Sequence, residues 1–127
     1  MEYGTPMKVS EAGRLRGCPE RAVLEHVTST WGVLVLVELA GAGTLRPSEL
    51  RRRIGGVSEK MLAQTLRTLE RDGFVRRLAH PVIPPHVDYD LTPLGHQVAG
   101  KVRALAEWTA GNMAAVAAAQ RAYDAAR

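Results

Sequence analysis

Residues 48–73 read SELRRRIGGVSEKMLAQTLRTLERDG, and this segment constrains the fold more than any other part of the chain. Residues 48–54 predict a short helix with Leu50 and Ile54 on one face and Arg51, Arg52 and Arg53 mostly outward. Gly55-Gly56-Val57 predicts a tight turn. Ser58 then suits the N-cap of a second helix, with Glu59 in the first turn, where the helix dipole favours a carboxylate. Leu62, Leu66 and Leu69 fall on one stripe of that helix, and Gly73 supplies its C′ stop. Two short helices joined by a glycine-bearing turn make a helix-turn-helix unit.

The flanks extend this unit. His86-Val87-Asp88-Tyr89-Asp90-Leu91 alternates at period two, the pattern of a half-buried strand, and residues 74–79 are its expected partner. Pro81, Pro84 and Pro85 lie between the two and cannot donate to a sheet ladder, so 80–85 is the tip. A hairpin placed directly after the second helix is a wing. Residues 44–46 suit a very short additional strand. Upstream, 19–27 predicts a helix opened by Pro19, and 30–39 predicts a helix apolar nearly all round, the signature of a buried spine. Downstream, Thr92-Pro93 opens a helix with Leu94, Val98, Val102, Leu105 and Trp108 on one stripe, and Gly111-Asn112 interrupts it before an alanine-rich end. The expected class is α+β, mainly α: a winged helix-turn-helix with a two- to three-stranded wing sheet. The expected divisions are a mobile arm over 1–17, where Gly4, Pro6 and Gly13 break any pattern, the winged domain over 18–110, and a helical tail over 111–127.

Composition narrows the function classes. The 127 residues carry a net charge of +4, nearly all the cations being arginine. That balance favours a polyanionic partner, and arginine's planar fork suits phosphate and guanine. A single cysteine, Cys18, excludes an intrachain disulfide scaffold. No apolar run approaches a membrane span and no signal-peptide core opens the chain, so the expected location is cytoplasmic with no membrane partner. No phosphate loop, nucleophile elbow or carboxylate pair points to catalysis. His26, His80, His86 and His96 show no metal-ligand spacing, and neither metal nor cofactor is expected.

Lys60, Gln64, Arg67 and Arg71 recur on the face of residues 58–72 opposite the leucine stripe. They read either as a solvated face or as a row entering a DNA groove, Gln64 suited to adenine and Lys60 or Arg67 to guanine or phosphate. The helix-turn-helix context favours the second, with Ser58 at the helix start. Arg51, Arg52 and Arg53 supply one or two phosphate contacts, since successive residues cannot all face one way. On the wing, Arg76, Arg77, His80 and His86 could touch backbone or minor groove. Trp31, Tyr89 and Trp108 could line a small-molecule pocket, although aromatics on apolar stripes more often serve cores or subunit contacts. Cys18 lies before a helix start and near Arg14, Arg16 and Arg21, a setting that favours a reactive thiolate; it is either an oxidant sensor or a half-buried residue without chemistry.

These residues together resemble the HxlR-type family of winged helix-turn-helix regulators. The similarity runs from Cys18-Pro19 through Trp31, Glu49-Leu50-Arg51-Arg52, Ser58-x-Lys60-Met61-Leu62 and Asp72-Gly73 to Pro84-Pro85-x-Val87-x-Tyr89-x-Leu91-Thr92 and Leu94-Gly95. It implies a bacterial homodimer binding a palindromic operator in double-stranded DNA, with the first and last helices as the dimerisation elements. It also implies an oxidant or small-molecule effector in some members, through a cysteine at the position of Cys18. The chain departs from the family at Glu59, where proline is common, at Pro47 and Gly55, and at His80, Val82 and His86 of the wing. Those departures keep a second reading open: a winged-helix protein-interaction module that does not bind DNA.

Overall fold

The computed structural model describes residues 10–16 and 18–127. Among these residues seven helices and one hairpin follow in the order α1 (Glu11–Arg16), α2 (Pro19–Thr28), α3 (Thr30–Ala42), α4 (Pro47–Ile54), α5 (Glu59–Arg71), β1 (Val75–His80), β2 (His86–Leu91), α6 (Pro93–Gly111) and α7 (Met113–Ala125). The winged helix-turn-helix predicted from the sequence is the observed architecture.

Helix α3 is the spine. It packs against α2, α4, α5, α6 and β2 and buries Val35, Leu36 and Leu39 almost completely. Around it the core is closed by Leu50 of α4, by Leu62, Leu66 and Leu69 of α5, by Phe74, Val75 and Leu91 of the hairpin, and by Ala99 and Val102 of α6. Each leucine taken out of water contributes about 1.5–3 kcal/mol, so the stripe on α5 is what fixes its rotation. Helix α3 runs past the expected 30–39 to Ala42 and stops at Gly43, whose φ is 83°.

The turn between α4 and α5 depends on glycine. Gly55 and Gly56 have φ of 74° and 76°, a region costly for residues with a Cβ. Ser58 caps α5 as expected, its Oγ accepting from the Met61 amide at 3.0 Å. At the other end of α5, Asp72 Oδ2 meets His26 Nδ1 of α2 at 2.6 Å, tying the helix end to the scaffold.

Strands β1 and β2 pair antiparallel in the register Val75↔Leu91, Arg76↔Asp90, Arg77↔Tyr89, Leu78↔Asp88, Ala79↔Val87 and His80↔His86. Leu45 adds a single bridge to Tyr89, so the expected third strand is one residue pair long.

Two sequence expectations change. Within the arm expected over 1–17, Glu11–Arg16 is helical: Ser10 Oγ accepts from the Gly13 amide, and Arg14 pairs with Glu20 of α2, so Gly13 does not break the segment. The remainder of the expected arm, 1–9 and 17, lies outside the described residues. On α6 the inward face is Gly95, Ala99 and Val102, while Leu94, Leu105 and Trp108 are exposed. Small residues set that face because α6 crosses directly over the Phe74 carbonyl, where only Gly95 fits.

Candidate nucleic-acid interface

At about 100° per residue, burying Leu62, Leu66 and Leu69 turns Lys60, Gln64, Arg67 and Arg71 to the opposite side of α5. All four are exposed. Among the described residues none of their side chains makes an ion pair or hydrogen bond, so the row is held out by the helix and left free for a ligand. Gln64 also borders a shallow cleft toward α2, beside Met61 and Thr68. Ser58 sits at the start of this face with its hydroxyl already engaged as the cap.

The arginines of α4 separate by partner. Arg51 reaches Glu59 across the turn at 3.3 Å, and Arg53 reaches Glu38 of α3 at 3.4 Å. Arg52 is exposed and has no such partner among the described residues. Of the three, it carries the uncompensated charge. Glu59 is therefore not an isolated negative charge on the α5 N-terminus, since Arg51 stands against it.

The wing divides in the same way. Arg76 donates through Nε and Nη2 to both oxygens of Asp90, and this hydrogen bonding together with the carboxylate charge raises the guanidinium pKa above its ordinary value. Arg77 is exposed and has no ion-pair partner among the described residues. His80 and His86 stack with ring centroids 4.6 Å apart, and both face Asp88. The histidine spacing that showed no ligand set in one dimension is thus brought into one cluster by the hairpin register. Asp88 and Asp90 went unassigned in the sequence; their alternation was visible, but not which cation each would meet across the strands.

The three aromatic residues have separate fates. Trp31 packs half-buried on the core, Trp108 is exposed, and Tyr89 borders a cleft of about 340 Å³ between α4, α5 and β2, shared with Arg51, Glu59 and Ala63. Cys18 is the half-exposed N-cap residue of α2. The Glu20 carboxylate, two residues on, lies below its usual pKa chiefly through hydrogen bonds from Arg14, then through the Arg14 charge, with a smaller contribution from Cys18. The positive charge expected to act on Cys18 is thereby shared with a carboxylate. No single helix among the described residues is long and apolar enough to cross a membrane.

The HxlR-like helix-turn-helix family model matches residues 26–117. The chain is 64% identical over 101 residues to the HTH-type transcriptional regulator YtfH of Escherichia coli (strain K12), covering 80% of this chain and 79% of that protein. Among solved structures, ytfH from Salmonella typhimurium, described as a transcriptional regulator, superposes with a TM-score of 0.78 at 59% identity, covering 84% of this chain and 94% of that one. The redox regulator HypR in its oxidised form superposes with a TM-score of 0.68 at 32% identity, covering 75% and 97%. With the winged fold, the outward row on α5 and these relatives together, the chain belongs to the HxlR-like helix-turn-helix family of DNA-binding transcriptional regulators.

Proposed function

We propose that the protein acts as a homodimer on a palindromic operator, with α5 of each subunit in the major groove of one half-site. The observation that carries this reading is the free polar row Lys60, Gln64, Arg67 and Arg71, aimed outward by a leucine stripe sealed in the core. Gln64 and Arg67 are the base-reading candidates, and Lys60 and Arg71 are placed for bases or phosphate. Arg52 and Arg77 supply backbone contacts, with Arg51, Arg53 and Arg76 held in reserve by their carboxylates.

A dimer is supported by what α6 and α7 leave uncovered. Leu105 and Trp108 are 58% and 61% exposed, Leu94, Met113 and Tyr123 are also exposed, and α7 has no buried residue. Large apolar side chains grouped on terminal helices fit a subunit contact. Two-fold pairing through those helices would set half-sites about one DNA turn apart, near 34 Å.

Cys18 is the candidate for an oxidant-responsive thiol, supported by its half-exposed place at the α2 N-terminus and by the likeness to a redox regulator. The regulator would work in the cytoplasm and has no catalytic constellation assigned to it. Selection from a random DNA pool by the purified full chain, with and without peroxide, tests these points together. Enrichment of an inverted repeat is the expected result. Enrichment of unrelated sequences would reject the palindromic reading, and oxidant-independent enrichment with Cys18 still reduced would reject the sensor.

A further inference from the structure

The wing carries a cluster to which the proposed function assigns no DNA contact. His80 ends β1, His86 begins β2, and Asp88 lies one diagonal step away on the same face of the hairpin. One ligand atom from each lies within 4.8 Å of the others. His80 Nε2 is 2.9 Å from Asp88 Oδ2, and His86 Nε2 is 4.0 Å from the same oxygen.

The environment of His80 Nε2 is the second, independent observation. This nitrogen is enclosed and has no hydrogen-bond partner among the described residues. The Asp88 carboxylate is near enough to pair with it, yet lies off the line of a ring N–H. Two ligands of one tetrahedral ion are each bound along their own lone pair, so each sits off the axis of the other. At metal–ligand distances near 2.1 Å, such ligands are separated by about 3.4 Å, between the two separations seen at Asp88 Oδ2. The other carboxylate oxygen, Oδ1, faces Arg46 Nε at 3.9 Å, an outer contact that leaves Oδ2 to the histidines.

We propose that His80, His86 and Asp88 form a binding site for a first-row divalent transition-metal cation of the zinc type. Two imidazoles and one carboxylate suit zinc, nickel, copper(II) or cobalt(II) far better than magnesium or calcium, which prefer oxygen ligands. Three protein ligands leave one position for water, and the partial exposure of all three side chains gives the ion a route in. A bound ion would clip the two strands together at the mouth of the tip loop and place positive charge where the described tip residues have only histidine and aspartate. The proposal does not depend on how α5 reads DNA.

Untagged full-length protein, stripped with chelator, is titrated with zinc alone against a chromophoric chelator. One equivalent per chain should bind, unchanged in Cys18→Ser and His96→Ala. Asp88→Asn, near-isosteric and tolerable in the strand, should weaken binding at least about tenfold, as should His86→Ala and His80→Phe, the last keeping the ring stack. Cobalt(II) should give tetrahedral ligand-field bands without thiolate charge transfer, and the three variants should lack them. Binding that survives all three substitutions, that is lost in Cys18→Ser, or that is absent from the folded wild-type chain overturns the site. Circular dichroism of each variant shows that a loss reflects missing ligands and not unfolding.

Discussion

Arg76 on β1 and Asp90 on β2 face each other across the wing and join through two hydrogen bonds, Nε to Oδ1 at 3.1 Å and Nη2 to Oδ2 at 2.9 Å. A bidentate pair of this kind fixes the guanidinium plane and offsets its charge. The neighbouring Arg77, on the opposite face of the strand, has no such commitment among the described residues. Arg77→Ala should therefore reduce the slope of log affinity against log salt by about one, the value of a single phosphate contact. The double variant Arg76→Gln, Asp90→Asn, which removes the pair without leaving a charge, should change it little. Gel-shift titrations over a salt series decide between them, and equal effects would reject the division of the wing.

On α5 the expected losses differ in kind. Arg67→Ala should weaken binding to the selected operator by about 1–3 kcal/mol while sparing random DNA, as a base contact does. Glu59→Gln should act in the opposite direction. It releases Arg51 from the 3.3 Å pair and removes a carboxylate that is itself 82% exposed. Affinity for any duplex should rise and the salt dependence should steepen. Fluorescence anisotropy with operator and scrambled duplexes measures both; a Glu59→Gln protein that binds more weakly would show that Glu59 assists binding.

The scaffold contact between α2 and α5 predicts a stability effect without a direct DNA effect. Asp72's side chain is only 6% exposed and meets His26 Nδ1 at 2.6 Å. His26→Ala strands that carboxylate without its partner, at a cost of about 1–3 kcal/mol. Urea denaturation should show a lower midpoint with an unchanged slope. A midpoint equal to wild type would mean that water replaces the imidazole at no cost.

Acid should loosen the first helix specifically. Arg14 holds the Glu20 carboxylate below its ordinary value of 4.5, first by hydrogen bonding and then by charge. A depressed folded pKa means that this link is fully present above 4.5 and is lost as pH falls through the folded value. Amide protection factors in α1 should drop across that acid range in the wild type. In Glu20→Gln they should be low and flat throughout; a wild type that shows no acid drop would remove the pair as the anchor of α1.

The helix-turn-helix and the wing were legible because local rules agree there. The Ser58 cap, the Leu62-Leu66-Leu69 stripe and the Gly55-Gly56 turn each act within a few residues, and each is found in place. What stayed hidden was long-range. His26 and Asp72 are 46 positions apart, and nothing in either neighbourhood announces the other. The pairing of Arg76 with Asp90, and of His80 with His86 and Asp88, follows from strand register. The proline-rich tip left that register open by a residue, and a slip of one would send every side chain to the other face. The polar row on α5 was visible as a row; that among the described residues Arg51, Arg53 and Arg76 are compensated, while Arg52 and Arg77 are not, required the folded chain.

Gly95 gives the clearest test of the close approach between α6 and the hairpin. The Thr92 amide donates to the Phe74 carbonyl at 3.0 Å, and Thr92 Oγ1 accepts from the Gly95 amide and donates to the Gly73 carbonyl. These bonds draw the first turn of α6 down onto Phe74. A Cβ built on Gly95 would fall well inside contact distance of the Phe74 carbonyl, a backbone atom that cannot rotate away, and within 3.3 Å of Leu91 Cδ2. Gly95→Ala normally favours a helix by up to about 1 kcal/mol, yet here overpacking should outweigh that and destabilise by about 1–3 kcal/mol. Gly100, on the same helix with nothing near its Cβ position, is the control, and Gly100→Ala should stabilise. Thermal unfolding of the two variants should therefore move in opposite directions. A Gly95→Ala protein as stable as Gly100→Ala would show that α6 can lift from the wing without cost.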